Sequence, residues 1–148
     1  MTINVKIKLL REGVALPEYA TDGSAAVDLR CAAEGDVTIA PGQRVLIPTG
    51  IAIAPETSGV VAILAARSGL SLKHGITTTN GIGVIDSDYR GEICVSLINV
   101  SDTPYTISVG ERVAQLMFMP VFAANLIPTS ELDETERGTG GFGSTGKK

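Results

Sequence analysis

A chain of 148 residues with 44% hydrophobic side chains is long enough to bury a core without staples and short enough to be one domain. With no Trp and only three Phe and three Tyr, that core is aliphatic, built from Val, Ile, Leu and Ala. A formal charge of −4 at pH 7 and a sequence pI near 4.9 exclude a general nucleic-acid binder, which carries a basic excess, although a local basic pocket stays open.

In chain order, strand signals dominate. Ile3, Val5, Ile7 and Leu9 alternate with Asn4, Lys6 and Lys8, the pattern of a half-buried strand rather than of a secretory or transit leader. Ala26 to Leu29 reads as a strand interrupted by Asp28. Val37 and Ile39 precede a Pro41-Gly42 turn, and Val45 to Ile47 runs through Pro48-Thr49-Gly50 into Ile51 to Ala54. Val60 to Ala65 is a continuous apolar run suited to a buried strand. Ser68 to Lys73 is the one helical candidate, stopped by Gly75. Ile93 to Val100, Tyr105 to Val109 and Arg112 to Val121 supply further strands. Turn residues recur at about the eight-to-twelve spacing of an all-β sandwich or barrel, and the βαβ alternation of a doubly wound fold is missing. From Thr129 onward the character changes to an acidic stretch and then a Gly-rich one. That composition predicts two units, a β-rich domain over 1–128 and a flexible arm over 129–148 that orders on a ligand.

Cys31 and Cys94 lack metal or redox spacing and read as free, largely buried thiols in a reducing compartment. No run approaches the roughly 18 apolar residues of a membrane span. The expectation is a soluble, cytoplasmic protein without a membrane or nucleic-acid partner.

Several segments carry chemistry. Gly83 to Glu92 places Asp86, Asp88 and Tyr89 at a hairpin turn between apolar runs, with Asn80 just before. On an extended strand Asp86 and Asp88 share a face and Tyr89 points away. Glycines there allow a small hydrogen-bonding ligand to approach the backbone, though an ordinary solvated turn has the same look. Arg67-Ser68-Gly69 follows a strand and opens the helical candidate, so free amides, a hydroxyl and a guanidinium together suit an anion. Asp28 reads either as a satisfied structural carboxylate or as a water-mediated contact to Mg²⁺. Gln115 interrupts an apolar strand and needs a hydrogen-bond partner. Arg137 to Gly146 concentrates amides, hydroxyls and one guanidinium around Phe142, a composition for wrapping a phosphate and covering a flat ring, though a flexible linker has the same glycine content.

Gly141 to Lys147 also fits half of a P-loop, but no strand precedes it and Lys148 stands where Ser or Thr is needed, so the match is chance. The single His74 and the absence of a Cys/His cluster exclude a histidine-based or zinc centre and weaken a Ser-His-Asp reading.

In this order, five of these segments resemble the five motifs of the homotrimeric dUTPase family: Ala26-Val27-Asp28-Leu29-Arg30; Arg67-Ser68-Gly69-Leu70; Gly83 to Gly91; Gly110 to Gln115; and Arg137 to Gly146. Ala66, where many members carry proline, is a small departure that touches no proposed ligand group. The resemblance implies a distorted jelly-roll (β-clip) barrel with one short helix, assembled as a trimer. It further implies hydrolysis of dUTP to dUMP and pyrophosphate, limiting uracil in DNA and supplying dUMP for thymidylate synthesis. Asp86 is then the base for the attacking water and touches the 3′-hydroxyl, while Tyr89 packs under the sugar and rejects a 2′-hydroxyl. Asn80, the backbone of Gly83, Val84 and Ile85, and the strand near Cys94 read uracil. Arg67, Ser68, Gly69 and Gln115 bind phosphates, and Arg137, Gly143, Ser144 and Thr145 close over the γ-phosphate with Phe142 stacked on the base. Mg²⁺ rides on the phosphates, reached by Asp28 through water. Sites shared between subunits follow from the same resemblance. Two other readings compete: a dCTP deaminase-like enzyme of the same superfamily, and a non-catalytic dUTP-binding regulatory trimer.

Overall fold

The computed structural model describes residues 2–141. Within them lie eleven strands and one helix: β1 (Val5–Leu9), β2 (Val27–Arg30), β3 (Val37–Ile39), β4 (Arg44–Pro48), β5 (Ile51–Pro55), β6 (Val60–Ala66), α1 (Ser68–His74), β7 (Ile76–Thr78), β8 (Ile82–Ile85), β9 (Cys94–Asn99), β10 (Tyr105–Ile107) and β11 (Arg112–Pro120). All recorded pairings are antiparallel. They form sheets of order β2-β11-β6-β8, β4-β9-β7, β1-β5 and β10-β3, a jelly-roll-like β barrel. Among the described residues no helix is long and apolar enough to cross a membrane.

The alternation read from the sequence decides which face is inside. In β9, Val95, Leu97 and Asn99 are buried between half-exposed neighbours, and in β6 Val60, Ala62 and Leu64 are buried while Val61, Ile63 and Ala65 are not. The continuous apolar run of β6 therefore serves two faces, only one of which the barrel interior covers. That interior is aliphatic as composition required, with Leu29, Ile39, Ile47, Ile51, Leu97 and Leu116 all but fully enclosed. One polar group sits at its centre. Asn99 donates to the carbonyls of Ile39 (2.9 Å) and Thr103 (2.7 Å) and accepts from the Ser101 amide (2.9 Å), so its burial leaves nothing unpaired.

α1 ends where the sequence stops it. Gly75 has φ 65°, and its amide bonds back to the Ser71 carbonyl at 3.0 Å. A Cβ there would stand 2.8 Å from the Ser101 backbone nitrogen, so both conformation and space demand glycine.

Candidate active site

One half of the site is set by strand register. β2 and β6 flank β11, and Gln115 lies opposite Asp28 on one side and Ala65 on the other. Directly opposed residues project to the same face, so Asp28 and Gln115 share the outer face of the four-stranded sheet. Arg67 leaves the end of β6 and turns back along this row. Its Nε donates to Asp28 Oδ1 at 3.1 Å and its terminal nitrogen to the Arg112 carbonyl at 3.1 Å. A register shift between Arg112 and Ala114 bends β11, and the Arg112 guanidinium donates to Asp28 Oδ2 at 3.0 Å.

Asp28 is thus clamped between two guanidiniums, and its side chain is only 17% exposed. Both alternatives that the sequence left open bear on it. It is a satisfied carboxylate, and each oxygen keeps acceptor capacity for a water. Beside Arg67, Ser68 and Gly69 are exposed at the start of α1, where backbone amides have no intrahelical carbonyl to bond. A cleft of about 920 Å³ opens next to this cluster, lined by Asp28, Arg30, Gly110, Arg112 and the loop from Arg11 to Ala20.

The other half is a bend. Asp86 directly follows β8, and the Tyr89 amide donates to the Asp86 carbonyl at 3.1 Å. The chain therefore turns at Ser87-Asp88, and Asp86 and Asp88 do not lie on an extended strand as their spacing suggested. Asp86 is exposed, and among the described residues its carboxylate has no hydrogen bond or ion pair. The Tyr89 hydroxyl donates to the Glu92 carbonyl at 3.0 Å, and its ring occupies the space a side chain at Gly91 would need: a Cβ there would fall 2.6 Å from Cζ.

The expected hairpin is also different in kind. β8 pairs with β6, whereas β9 pairs with β4 and β7, so residues 86–93 arch between two sheets. β8 is an edge strand, so alternate amides and carbonyls of Gly83, Val84 and Ile85 face outward without a ladder partner. Asn80 lies exposed in the turn that leads into β8, its carbonyl accepting from the Ile82 amide at 2.8 Å. Cys94 starts β9 half-buried, and burial pushes its thiol up from the ordinary value. An open strand edge with a polar side chain nearby is the geometry for reading the rim of a flat heterocycle.

The two halves do not meet within one chain. Gly83 faces Leu64 and Ile85 faces Ala62, so Asp86 emerges near the Val61 level of β6. Arg67 emerges beyond the opposite end, six residues of strand or roughly 20 Å away. Arg137 is exposed on the arm, its Nε donating to the Gly140 carbonyl at 2.9 Å, and residues 122–139 are exposed throughout. Phe142, Gly143, Ser144 and Thr145 lie outside the described residues.

The dUTPase family model matches residues 12–146. The chain belongs to the dUTPase family. The deoxyuridine 5'-triphosphate nucleotidohydrolase of Desulfitobacterium hafniense is 52% identical over 98% of this chain and 97% of its own. That of a Shewanella species is 47% identical over the full length of both. Among solved structures, the dUTPase of Staphylococcus bacteriophage 80alpha with dUpNHpp superposes with a TM-score of 0.88 at 27% identity, covering 97% of this chain and 98% of the other.

The structure adds one residue to those the sequence singled out around the phosphates. Arg112 completes the clamp on Asp28, and its signal was its place within the segment that ends at Gln115. A bulge is what turns it toward Asp28, and nothing in the local pattern of alternation announces a bulge.

Proposed function

We propose that the protein hydrolyses dUTP to dUMP and pyrophosphate, with a water oriented and deprotonated by Asp86 attacking the α-phosphorus. The oxygen of that water joins the α-phosphorus, the bond to the α,β-bridging oxygen breaks, and the proton passes to Asp86. The observation that carries this reading is an exposed carboxylate without a cationic partner among the described residues, one residue beyond an open strand edge. A base must present its oxygens to a water, and a guanidinium bonded to it would occupy them. Asn80 and the outward backbone groups of Gly83 to Ile85 suit the edge of uracil, Cys94 walls the slot, and Tyr89 sits where a 2′-hydroxyl would crowd it. Arg67, with Ser68, Gly69 and Gln115, takes the phosphates through charge-assisted bonds, and positioning plus charge stabilisation supplies most of the acceleration.

Mg²⁺ enters with the triphosphate. Among the described residues no three His, Cys, Asp or Glu gather to hold a resident metal, and both oxygens of Asp28 already accept from arginine. That donor set fits a cation carried by phosphates, which Asp28 would meet through water and which would neutralise phosphate charge.

The site is shared between copies in this reading, with three chains forming the assembly. Two observations support it: the separation of Asp86 from Arg67, and the outer face of the sheet. There Ile63, Met117, Met119, Val84 and Ile82 share the side that carries Asp28 and Gln115, with Val84 61% and Ile82 52% exposed. An apolar face contiguous with a polar site marks a protein contact beside it. The arm over 129–148 then brings Arg137, Phe142, Gly143, Ser144 and Thr145 over the bound nucleotide.

The test is product analysis in ¹⁸O-water with Mg²⁺ and dUTP, dCTP, dTTP or UTP, alongside the solution mass of the assembly. Label in dUMP, pyrophosphate release from dUTP alone, and a trimeric mass are expected. Label in pyrophosphate places the attack on the β-phosphorus, and deamination of dCTP or binding without turnover replaces the reading altogether.

A further inference from the structure

The bend that carries Asp86 and Tyr89 is exposed, yet it is not left to itself. Its C-terminal end is tied into the fold through Glu92. The Glu92 carboxylate accepts two bonds from the Arg11 guanidinium, 2.5 Å to Oε1 and 2.8 Å to Oε2, and a third from the Gly50 amide at 2.7 Å. Its side chain is 22% exposed, so this is a half-enclosed, two-pronged ion pair rather than a solvent-washed one. Neighbouring backbone bonds continue the tie. The Leu10 amide donates to the Gly50 carbonyl at 2.8 Å, and the Ile93 amide donates to the Ile51 carbonyl at 2.9 Å. Arg11's hydrogen bond holds the Glu92 carboxyl below its ordinary value against the opposing effect of burial.

What this tie positions is a single atom that matters. The Glu92 carbonyl oxygen is the acceptor for the Tyr89 hydroxyl at 3.0 Å, and the Tyr89 ring lies against Gly91. Glu92 thus joins a side-chain anchor on one side to the phenol on the other. If the carboxylate loses its anchor, the carbonyl and the phenol it holds are free to drift together, and the floor beneath the sugar recedes.

We propose that Arg11 and Glu92 are positioning residues for deoxyribose selection: the ion pair fixes the Glu92 carbonyl, which fixes Tyr89 at the height that admits a 2′-hydrogen and rejects a 2′-hydroxyl. This rests on Tyr89 being the sugar-facing residue of the site. Neither Arg11 nor the Glu92 side chain contacts substrate in this scheme, and base selection, which belongs to Asn80 and the β8 edge, is outside their reach.

The experiment measures kcat/KM for dUTP, UTP and dCTP with the full-length assembly carrying Arg11→Met, Arg11→Lys, Glu92→Gln, Tyr89→Phe, Tyr89→Ala or Arg11→Met with Tyr89→Phe. Arg11→Met is expected to narrow the dUTP/UTP ratio about tenfold, the size of effect a small change of pocket volume produces. Glu92→Gln and Arg11→Lys, which keep part of the hydrogen bonding, should lie between it and the parent. The dUTP/dCTP ratio should stay fixed. Tyr89→Phe cuts the same chain at the hydroxyl, so adding Arg11→Met to it should narrow the ratio no further. A merely structural ion pair would lower the melting temperature or all three kcat/KM values together and leave the dUTP/UTP ratio unchanged, and that result overturns the proposal. Should Arg11→Met fail to fold, the same ratio is read from Arg11→Lys and Glu92→Gln. Tyr89→Ala separates the two levels: if it changes the ratio while the Arg11 and Glu92 variants do not, only the positioning role falls. If it too leaves the ratio fixed, the sugar-facing role of Tyr89 falls first.

Discussion

The two carboxylates nearest the proposed chemistry stand in opposite surroundings. Asp28 lies within β2, in register with Gln115 of β11, and each of its oxygens accepts from an arginine. Asp86 lies on a bend at a sheet edge, exposed, with no cation bonded to it among the described residues. The difference assigns roles. A carboxylate bonded to two guanidiniums holds both of them in place before any anion arrives, so less ordering remains to be done on binding. A carboxylate with no bonded cation leaves its oxygens open to a water. In the proposed scheme the anion side is fixed by sheet pairing and the proton-accepting side by a turn.

The sharpest way to break this comparison is to neutralise each acid in turn. Asp86→Asn keeps the size of the side chain and removes the base. We expect the single-turnover rate on dUTP to fall by about 10³, the usual range for a lost general base, while nucleotide affinity changes little. Quenched-flow measurement with enzyme in excess reads the first quantity and equilibrium titration the second. An unchanged rate sinks the assignment of Asp86.

Asp28→Asn should behave differently. The amide oxygen still accepts from one guanidinium, but the other loses its carboxylate partner, and Arg67 is held less firmly, by the Arg112 carbonyl alone if it is the one released. Here kcat/KM is expected to fall about tenfold, mostly through KM, with a stability loss of about 1–3 kcal/mol from the unpaired group. If Asp28→Asn instead matched Asp86→Asn in kcat at unchanged KM, the division between a holding acid and a reacting acid would be wrong.

The same contrast explains what the sequence could show. Strands announced themselves because alternation is local: Val95, Leu97 and Asn99 face inward at every second residue, and the single helix is bracketed by a strand before it and Gly75 after. β7 escaped notice because three residues, Ile76-Thr77-Thr78, are too few to display a period. Pairing is not local. Nothing in the run from Gly83 to Val95 says that β8 joins β6 while β9 joins β4 and β7, so a hairpin was expected where an arch exists. Asp28 could be singled out as an acid in an apolar strand, but the guanidiniums that clamp it come from positions 39 and 84 residues away, brought there by register and a bulge. Arg11 lies in no motif and stands 81 residues from Glu92, so their tie is visible only in three dimensions.

A smaller effect tests whether the anion side really draws its order from the fold. Glu111, next to Arg112, accepts from the Tyr105 hydroxyl at 2.6 Å and from the Ser108 amide at 3.0 Å, while its own carbonyl accepts from the Cys31 amide at 2.8 Å. Tyr105 in turn packs against His74, ring centroids 4.4 Å apart. Burial first, and then the Glu111 carboxylate, push the Tyr105 phenol from 10.0 up to about 12. A raised folded-state pKa means that the folded protein holds this proton more tightly than the unfolded chain does. The associated stability is therefore complete below pH 10 and is lost as pH climbs through about 12. Tyr105→Phe should cost about 1 kcal/mol at neutral pH, the worth of one hydrogen bond, and should melt with a shallower decline between pH 10 and 12 than the parent. All other groups are common to both proteins, so the difference between the two curves isolates Tyr105. Because the lost bond lies behind Arg112 and not beside Asp86, any accompanying loss of activity should appear in KM for dUTP with kcat unmoved. A fall in kcat alone would mean that the start of β11 reaches the reacting water after all, and the separation between the two acids would then be one of distance only.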